Sequence, residues 1–186
     1  MKVVAGSVRG FRLVVPSGNN TRPTSNRIKE TLFNILQWDV PESRFLDLFS
    51  GSGGIAVEAL SRGAAEAVLV ESDREALRCI RENLNHTRME DKSSVMAMDV
   101  MQALRRLDQI GNPFDIIFMD PPYRKNWEEK ILPFILQSSL VQEDTLIVVE
   151  TPIHEDIAYM QEYPCQIERI KEYKTNQHIF LRVGDQ

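Results

Sequence analysis

The chain has 186 residues, 42% hydrophobic and 26% charged, enough to bury a core of ordinary size and too evenly mixed for a low-complexity or disordered polymer. No apolar run approaches the ~20 residues of a membrane span, the first residues lack a signal-peptide core, and three scattered histidines with two unpatterned cysteines give no metal-ligand spacing. Net charge is −5, but residues 1–30 carry +5 and the remainder −10, so a polyanion contact is expected at a basic N-terminal arm and not over the whole surface.

In chain order, residues 2–5 and 11–15 are short strand-like runs joined around Gly6 and Gly10, a hairpin that carries Arg9 and Arg12. A loop over 16–23 leads to Thr24 or Ser25, either of which suits the cap of a helix over 26–37. That helix buries Ile28, Leu32, Ile35 and Leu36, and shows Arg27, Glu30, Thr31 and Asn34 on its other face. Strands and helices then alternate: strand 44–49, helix 54–62 closed by Gly63, strand 67–71, helix 74–84, strand 93–98 and helix 101–107. Strand 114–119, helix 127–138, strand 145–150 and a helix around 154–161 follow. Two closing strands, 166–173 and 177–183, flank a turn at Lys174-Thr175-Asn176. The pattern predicts an α/β fold: a mostly parallel, Rossmann-like seven-stranded sheet with helices on both faces and a terminal antiparallel hairpin, preceded by a small N-terminal β-hairpin and helix. One domain over residues 1–186 is expected, with 1–23 as hairpin extension and loop and 24–186 as the body. Cys79 and Cys165 read as reduced and inert, and the protein as cytoplasmic and monomeric.

The first strand of the body runs Phe45-Leu46-Asp47-Leu48-Phe49 into Ser50-Gly51-Ser52-Gly53-Gly54. Glycines at a strand-to-helix turn allow close backbone approach to a ligand, and the following helix offers free N–H groups. Gly51, Gly53 and Ala56 satisfy a dinucleotide fingerprint, and Glu71, 20 residues after Gly51, is placed for a ribose diol. An NAD-binding domain therefore competes. Asp47, inside the strand, favours a ligand with an ammonium or sulfonium over a pyrophosphate. Asp99, past the third strand, suits an adenine amino group, and equally a helix cap. Asp47, Ser50, Gly51, Gly53, Glu71 and Asp99 together describe a site for S-adenosylmethionine, with no metal.

After the apolar run 114–119 comes Asp120-Pro121-Pro122-Tyr123. Neither proline donates a backbone N–H, and Pro122 biases Pro121 towards an extended conformation. A stiff corner results, with a carboxylate, free carbonyls and a flat ring. It suits a planar group bearing an NH2, whose hydrogens go to Asp120 and the Pro121 carbonyl while Tyr123 stacks. A Pro-rich turn with a capping Asp and a packed Tyr is the plain structural alternative.

The Asp47-x-Phe-Ser-Gly-Ser-Gly-Gly run, Glu71 and Asp-Pro-Pro-Tyr in that order resemble a class I S-adenosylmethionine-dependent methyltransferase of exocyclic amines. Gly6-Ser-Val-Arg9-Gly10, Thr21-Arg22-Pro23-Thr24-x-x-Arg27-x-Lys29-Glu30-Thr-Leu-Phe33-Asn34 and Glu58-Ala-Leu-Ser-Arg62-Gly63-Ala64 narrow the resemblance to the RsmD family, over residues 3–183. The resemblance implies methylation of a guanine N2 in 16S rRNA, in a small subunit or an assembly intermediate, with S-adenosylhomocysteine as product. It further implies that Arg22, Thr24, Arg27 and Asn34 approach the active site; the basic hairpin with Arg9 and Arg12, and the helix entry at Arg22 and Arg27, would supply phosphate contacts, and Pro122 belongs to the substrate corner. The alternatives are an amine methyltransferase acting on adenine N6 or protein glutamine, and a non-catalytic cofactor-sensing RNA-binding assembly factor.

Overall fold

The computed structural model describes residues 1–17, 26–122 and 126–184. Helix α1 spans Asn26–Ile35, followed by β1 (Arg44–Leu48), α2 (Gly54–Ser61), β2 (Glu66–Glu71), α3 (Arg74–Thr87), β3 (Ser93–Ala97) and α4 (Val100–Ile110). Then come β4 (Ile116–Met119), α5 (Trp127–Leu136), β5 (Leu146–Pro152), β6 (Cys165–Glu172) and β7 (Asn176–Val183). The strands form one seven-stranded sheet in the order β3-β2-β1-β4-β5-β7-β6. Strands β1 to β5 run parallel, and β7 enters antiparallel between β5 and β6. This is the mixed sheet with a closing hairpin that the alternation predicts.

Strand alternation sorts the core into two layers. Phe45, Leu69, Ile116, Phe118, Leu146, Val148 and Phe180 pack with residues of α1, α2 and α3 on one face. Leu46, Leu48, Val70, Ile117, Met119, Ile147 and Val149 pack with α4 and α5 on the other. Strands β1, β4 and β5 are apolar on both faces because both are covered.

Several expected bounds shift for visible reasons. Phe114 and Asp115 precede β4, since their N–H groups donate to Leu140 and Arg44 outside the ladder. Helix α4 runs on to Gly111, whose φ of 70° closes it. In place of the helix expected around 154–161 there is a 3-10 turn, Ala158–Glu162. Within α1 the fully buried positions are Lys29, Leu32 and Phe33, whereas Ile28 and Ile35 are half-buried.

The N-terminal hairpin is held both by backbone bonds between its arms and by the helices it lies on. Its two arms pair around the Lys2–Arg12 bridge, where Val3 N–H donates to the Phe11 carbonyl at 2.9 Å, Gly10 N–H to the Val3 carbonyl at 2.9 Å and Leu13 N–H to the Met1 carbonyl at 3.0 Å. Other backbone donors of the arms go to the helices: Val4 and Ala5 N–H to the Glu58 carboxylate at 2.8 and 2.9 Å, and Val14 N–H to Asn83 Oδ1 at 2.8 Å. Gly6 is required at the tip, because a Cβ there would lie 1.8 Å from the Ser61 carbonyl oxygen.

Candidate active site at the carboxyl edge of the sheet

Parallel strands in register place their carboxyl ends side by side. Asp47 lies level with Leu69 of β2 and Phe118 of β4, and Phe118 with Val148 of β5. Two residues further along, at the same parity, come Glu71, Asp120 and Glu150, and His178 of β7 pairs with Glu150. One sheet face thus ends in four carboxylates from four adjacent strands. It is the face covered by α1, α2 and α3, and between β1 and β4 the chain leaves for helices on opposite sides. That divergence is the place where open α/β sheets hold ligands.

The turn after β1 is tightly built. Phe49 enters it with φ of 62°, a left-handed conformation uncommon for an aromatic residue. Ser50 Oγ donates to the Asp47 carbonyl at 2.7 Å, and Gly53 N–H to the Ser50 carbonyl at 2.7 Å. Gly53 precedes α2 with φ of 75°, and a Cβ there would meet Leu69 at 3.0 Å, so glycine is needed on both counts. Gly51 N–H donates to Glu71 Oε2 at 2.9 Å, which ties the turn to the end of β2. Glu71 Oε1 accepts from the Ser72 and Asp73 N–H groups, holding the carboxylate in place. Asn83 of α3 donates to the Ser52 and Val14 carbonyls at 2.9 and 2.8 Å, joining the turn to the N-terminal arm.

Asp47 is 1% exposed and accepts from Ala56 N–H at 3.3 Å. Burial raises its carboxyl to about 8, the Ala56 N–H opposes the rise, and the charge of Glu71 adds to it. A cationic ligand group would restore the carboxylate, so the site fits an amino-acid ammonium. Phe49 and Trp127 pack on the α4–α5 layer with ring centroids 5.8 Å apart, and the indole Nε1 of Trp127 is buried with no hydrogen-bond partner among the described residues. Such an orphan donor is what a bound ligand acceptor would satisfy.

Asp120 is half-buried, Pro121 buried and Pro122 exposed. Burial, then the charges of Glu150, Asp47 and Glu128, push the Asp120 carboxyl well above the usual carboxylate range. Asp99 is exposed and caps α4, its Oδ1 accepting from Met101 N–H at 2.9 Å. Arg22, Thr24 and Tyr123 lie outside the described residues.

The remaining expected residues are spread along α1 and the hairpin. Lys29 Nζ donates to the Lys2 carbonyl at 2.8 Å and to the Gly54 carbonyl at 3.5 Å, so the start of α1 and the Lys2–Arg12 bridge sit beside the glycine turn. Arg27 and Arg12 are exposed there. Asn34, also exposed, is about 10 Å further along α1. Helix α1 leads towards the amino ends of the strands, where Asp39 pairs with Arg182. Arg9 occupies the hairpin tip, next to Ser7 and Val8, which donate to Ser61 at the last turn of α2. It is therefore at the opposite end of α2 from the glycine turn.

Lys29 corrects the reading of the basic arm: it is fully buried and pairs with Glu58 at 3.0 Å. Asn83, Glu150 and His178 are further polar residues the pattern reading missed. Glu150 ends an apolar strand in the same way as Glu71 and Asp120, which was the available signal. Asn83 interrupts the buried stripe between Ile80 and Leu84.

Comparison with known proteins agrees with this architecture. Residues 1–183 match the family described as Conserved hypothetical protein 95, which is the RsmD family. The chain belongs to that family. It is 35% identical to the Ribosomal RNA small subunit methyltransferase D of Escherichia coli (strain K12), over 82% of this chain and 75% of that protein. A solved structure of a candidate methyltransferase from Escherichia coli superposes with a TM-score of 0.85 at 30% identity, covering 100% of this chain and 99% of the other. The fold is that of class I S-adenosylmethionine-dependent methyltransferases. An O-methyltransferase from Bacillus cereus, solved with S-adenosylhomocysteine, shares it with a TM-score of 0.71 at 17% identity, covering 89% of this chain and 84% of that chain. Among the described residues no helix is long and apolar enough to cross a membrane, and no group of three or more His, Cys, Asp or Glu side chains is arranged for a metal ion.

Proposed function

We propose that this member of the RsmD family methylates the exocyclic N2 amine of a guanine in 16S rRNA, with S-adenosylmethionine as methyl donor. The observation that carries the reading is Asp120, followed by Pro121 and Pro122, at the carboxyl end of the strand next to the glycine turn and its buried Asp47. The small-subunit rRNA methyltransferase name of its 35% identical relative supports RNA as the substrate.

When bound, the cofactor supplies a methyl group on a sulfonium and leaves as a thioether, while the amine nitrogen gains the methyl and loses one proton. Asp47 faces the ammonium, Glu71 the ribose hydroxyls, Asp99 the adenine amino group, and the 50–53 turn the amino-acid part. A guanine amine is a poor nucleophile because its lone pair is delocalised into the ring. Asp120 and the Pro121 carbonyl accept its two N–H bonds, orient the nitrogen and favour pyramidal character, so that much of the acceleration is positional. Asp120 then takes the proton. Tyr123 stacks on the base, which is worth roughly 1–3 kcal/mol, against a few kcal/mol for drawing the base out of structured RNA. Arg12, Arg22 and Arg27 contact phosphates, with Arg9 further out; Thr24, Asn34 and Pro122 complete the substrate surface.

The test is transfer of labelled methyl from S-adenosylmethionine to small ribosomal subunits from cells lacking this protein. Wild-type protein should label the RNA. Asp120→Ala should abolish labelling and leave S-adenosylhomocysteine affinity within a few fold. Turnover retained by that variant contradicts the role of Asp120.

A further inference from the structure

Behind the Asp120 corner lies a polar cluster to which methyl transfer has so far given no task. Glu150, 5% exposed, follows Val149, the partner of Met119 across the β4–β5 ladder. Its Oε1 accepts from Asn176 Nδ2 at 2.5 Å, and its Oε2 lies 2.9 Å from His178 Nε2. His178 is fully buried, with Nδ1 3.2 Å from the Tyr173 hydroxyl. The rings of Phe118, Tyr173 and Phe180 stand edge-on to the imidazole. A neutral ring satisfies both polar contacts when Nε2 carries the proton: Tyr173 donates to Nδ1, and Nε2–H donates to Glu150.

Burying a carboxylate this way is costly, and apolar side chains of similar volume commonly do as well for stability. The cluster is better explained by its neighbour. The charged groups acting on Asp120 are Glu150 from β5, Asp47 from β1 and Glu128 from α5, all acids, with Glu150 the strongest. Asp47 faces a cation in the proposed complex, which cancels its influence. Glu150 instead has hydrogen-bond partners, Asn176 and His178, that fix its position.

We propose that Glu150, locked in place by Asn176 and His178 at the end of the neighbouring strand, is a positioning residue that assists Asp120 in taking the proton given up by the amine. The proposal rests on the preceding reading, in which Asp120 takes that proton. The balance is simple: an N–H bond of the methylated nitrogen breaks, an O–H bond forms on Asp120, and the proton later passes to water. Tyr173 acts one step further back by selecting the His178 tautomer that donates to Glu150.

The test follows the Asp120 carboxyl through pH by NMR in protein labelled with 13C at aspartate carboxyls, with thermal unfolding as a check on the fold. Glu150→Gln is isosteric, and its amide has a partner in the other His178 tautomer. In that variant the Asp120 midpoint should fall by about one pH unit or more. His178→Gln retains the charge and a donor to it, and the midpoint should stay close to wild type. The acid limb of kcat for methyl transfer, which needs the carboxylate form, should move to lower pH in Glu150→Gln by the same amount, with KM for the cofactor unchanged. An unmoved midpoint in Glu150→Gln, or an equal displacement in both variants, overturns the proposal. A shifted midpoint in a protein whose wild type transfers no methyl overturns the catalytic role and identifies the functional reading as the part that failed.

Discussion

An ionised carboxylate buried as deeply as Asp47 opposes folding unless a cation faces it. The folded-state carboxyl at about 8 stands above its ordinary 3.8, so between those values the unfolded chain holds fewer protons and stability falls as pH rises. Asp47→Asn should therefore be more stable than wild type in the absence of cofactor, with an advantage that opens above about pH 4 and levels off above about pH 8. Its affinity for S-adenosylhomocysteine should drop at least about tenfold with the loss of a charge-assisted contact. Thermal unfolding across pH with titration calorimetry checks both, and a variant no more stable at pH 8 contradicts the account. Asp47, Glu71 and Asp120 were legible in the sequence because a carboxylate within or closing an apolar strand is costly and conspicuous. Lys29 was not, because a lysine among arginines reads as exposed, and its partner Glu58 belongs to another helix.

Helix α1, helix α2 and the N-terminal arm are joined through that partner. The Glu58 carboxylate meets Lys29 and Arg62 and accepts from the Val4 and Ala5 N–H groups. Burial lowers Lys29, and Glu58 partly restores it. For Glu58, burial acts upward, but Lys29, the Val4 N–H and Arg62 outweigh it and hold its carboxyl below the ordinary value. Removing Lys29 takes a buried countercharge from the Glu58 carboxylate, which Arg62 at 2.9 Å replaces only in part. Lys29→Ala should cost about 3–5 kcal/mol in urea unfolding. A loss below about 1 kcal/mol would show that the arm is held by something else. At this scale the strand and helix order followed from hydrophobic periodicity, since each element has one period and a covered face. The arm was harder: its strand-like runs form no full ladder, because the Val4, Ala5 and Val14 N–H groups are taken by side chains of α2 and α3 that are distant in sequence. The helix expected around 154–161 gave way to a 3-10 turn, Ala158–Glu162.

Over the whole molecule, an acidic body is preceded by a basic N-terminal segment on which Arg9, Arg12 and Arg27 are exposed. Arg12 and Arg27 border the glycine turn, whereas Arg9 lies at the far end of α2. Arg12→Ala with Arg27→Ala should weaken RNA binding and reduce its log–log salt slope by about 1–2, and Arg9→Ala should do less. Equal effects at all three positions would point to an unlocalised charge contact. The central claim is that the carboxylate row at the sheet's edge methylates guanine N2 in 16S rRNA. Its most direct test is nucleoside mass spectrometry of that RNA after incubation with S-adenosylmethionine and the protein. The account predicts N2-methylguanosine from the wild type and none from Asp120→Ala; methyl groups on adenine N6, or none in the RNA, would contradict it.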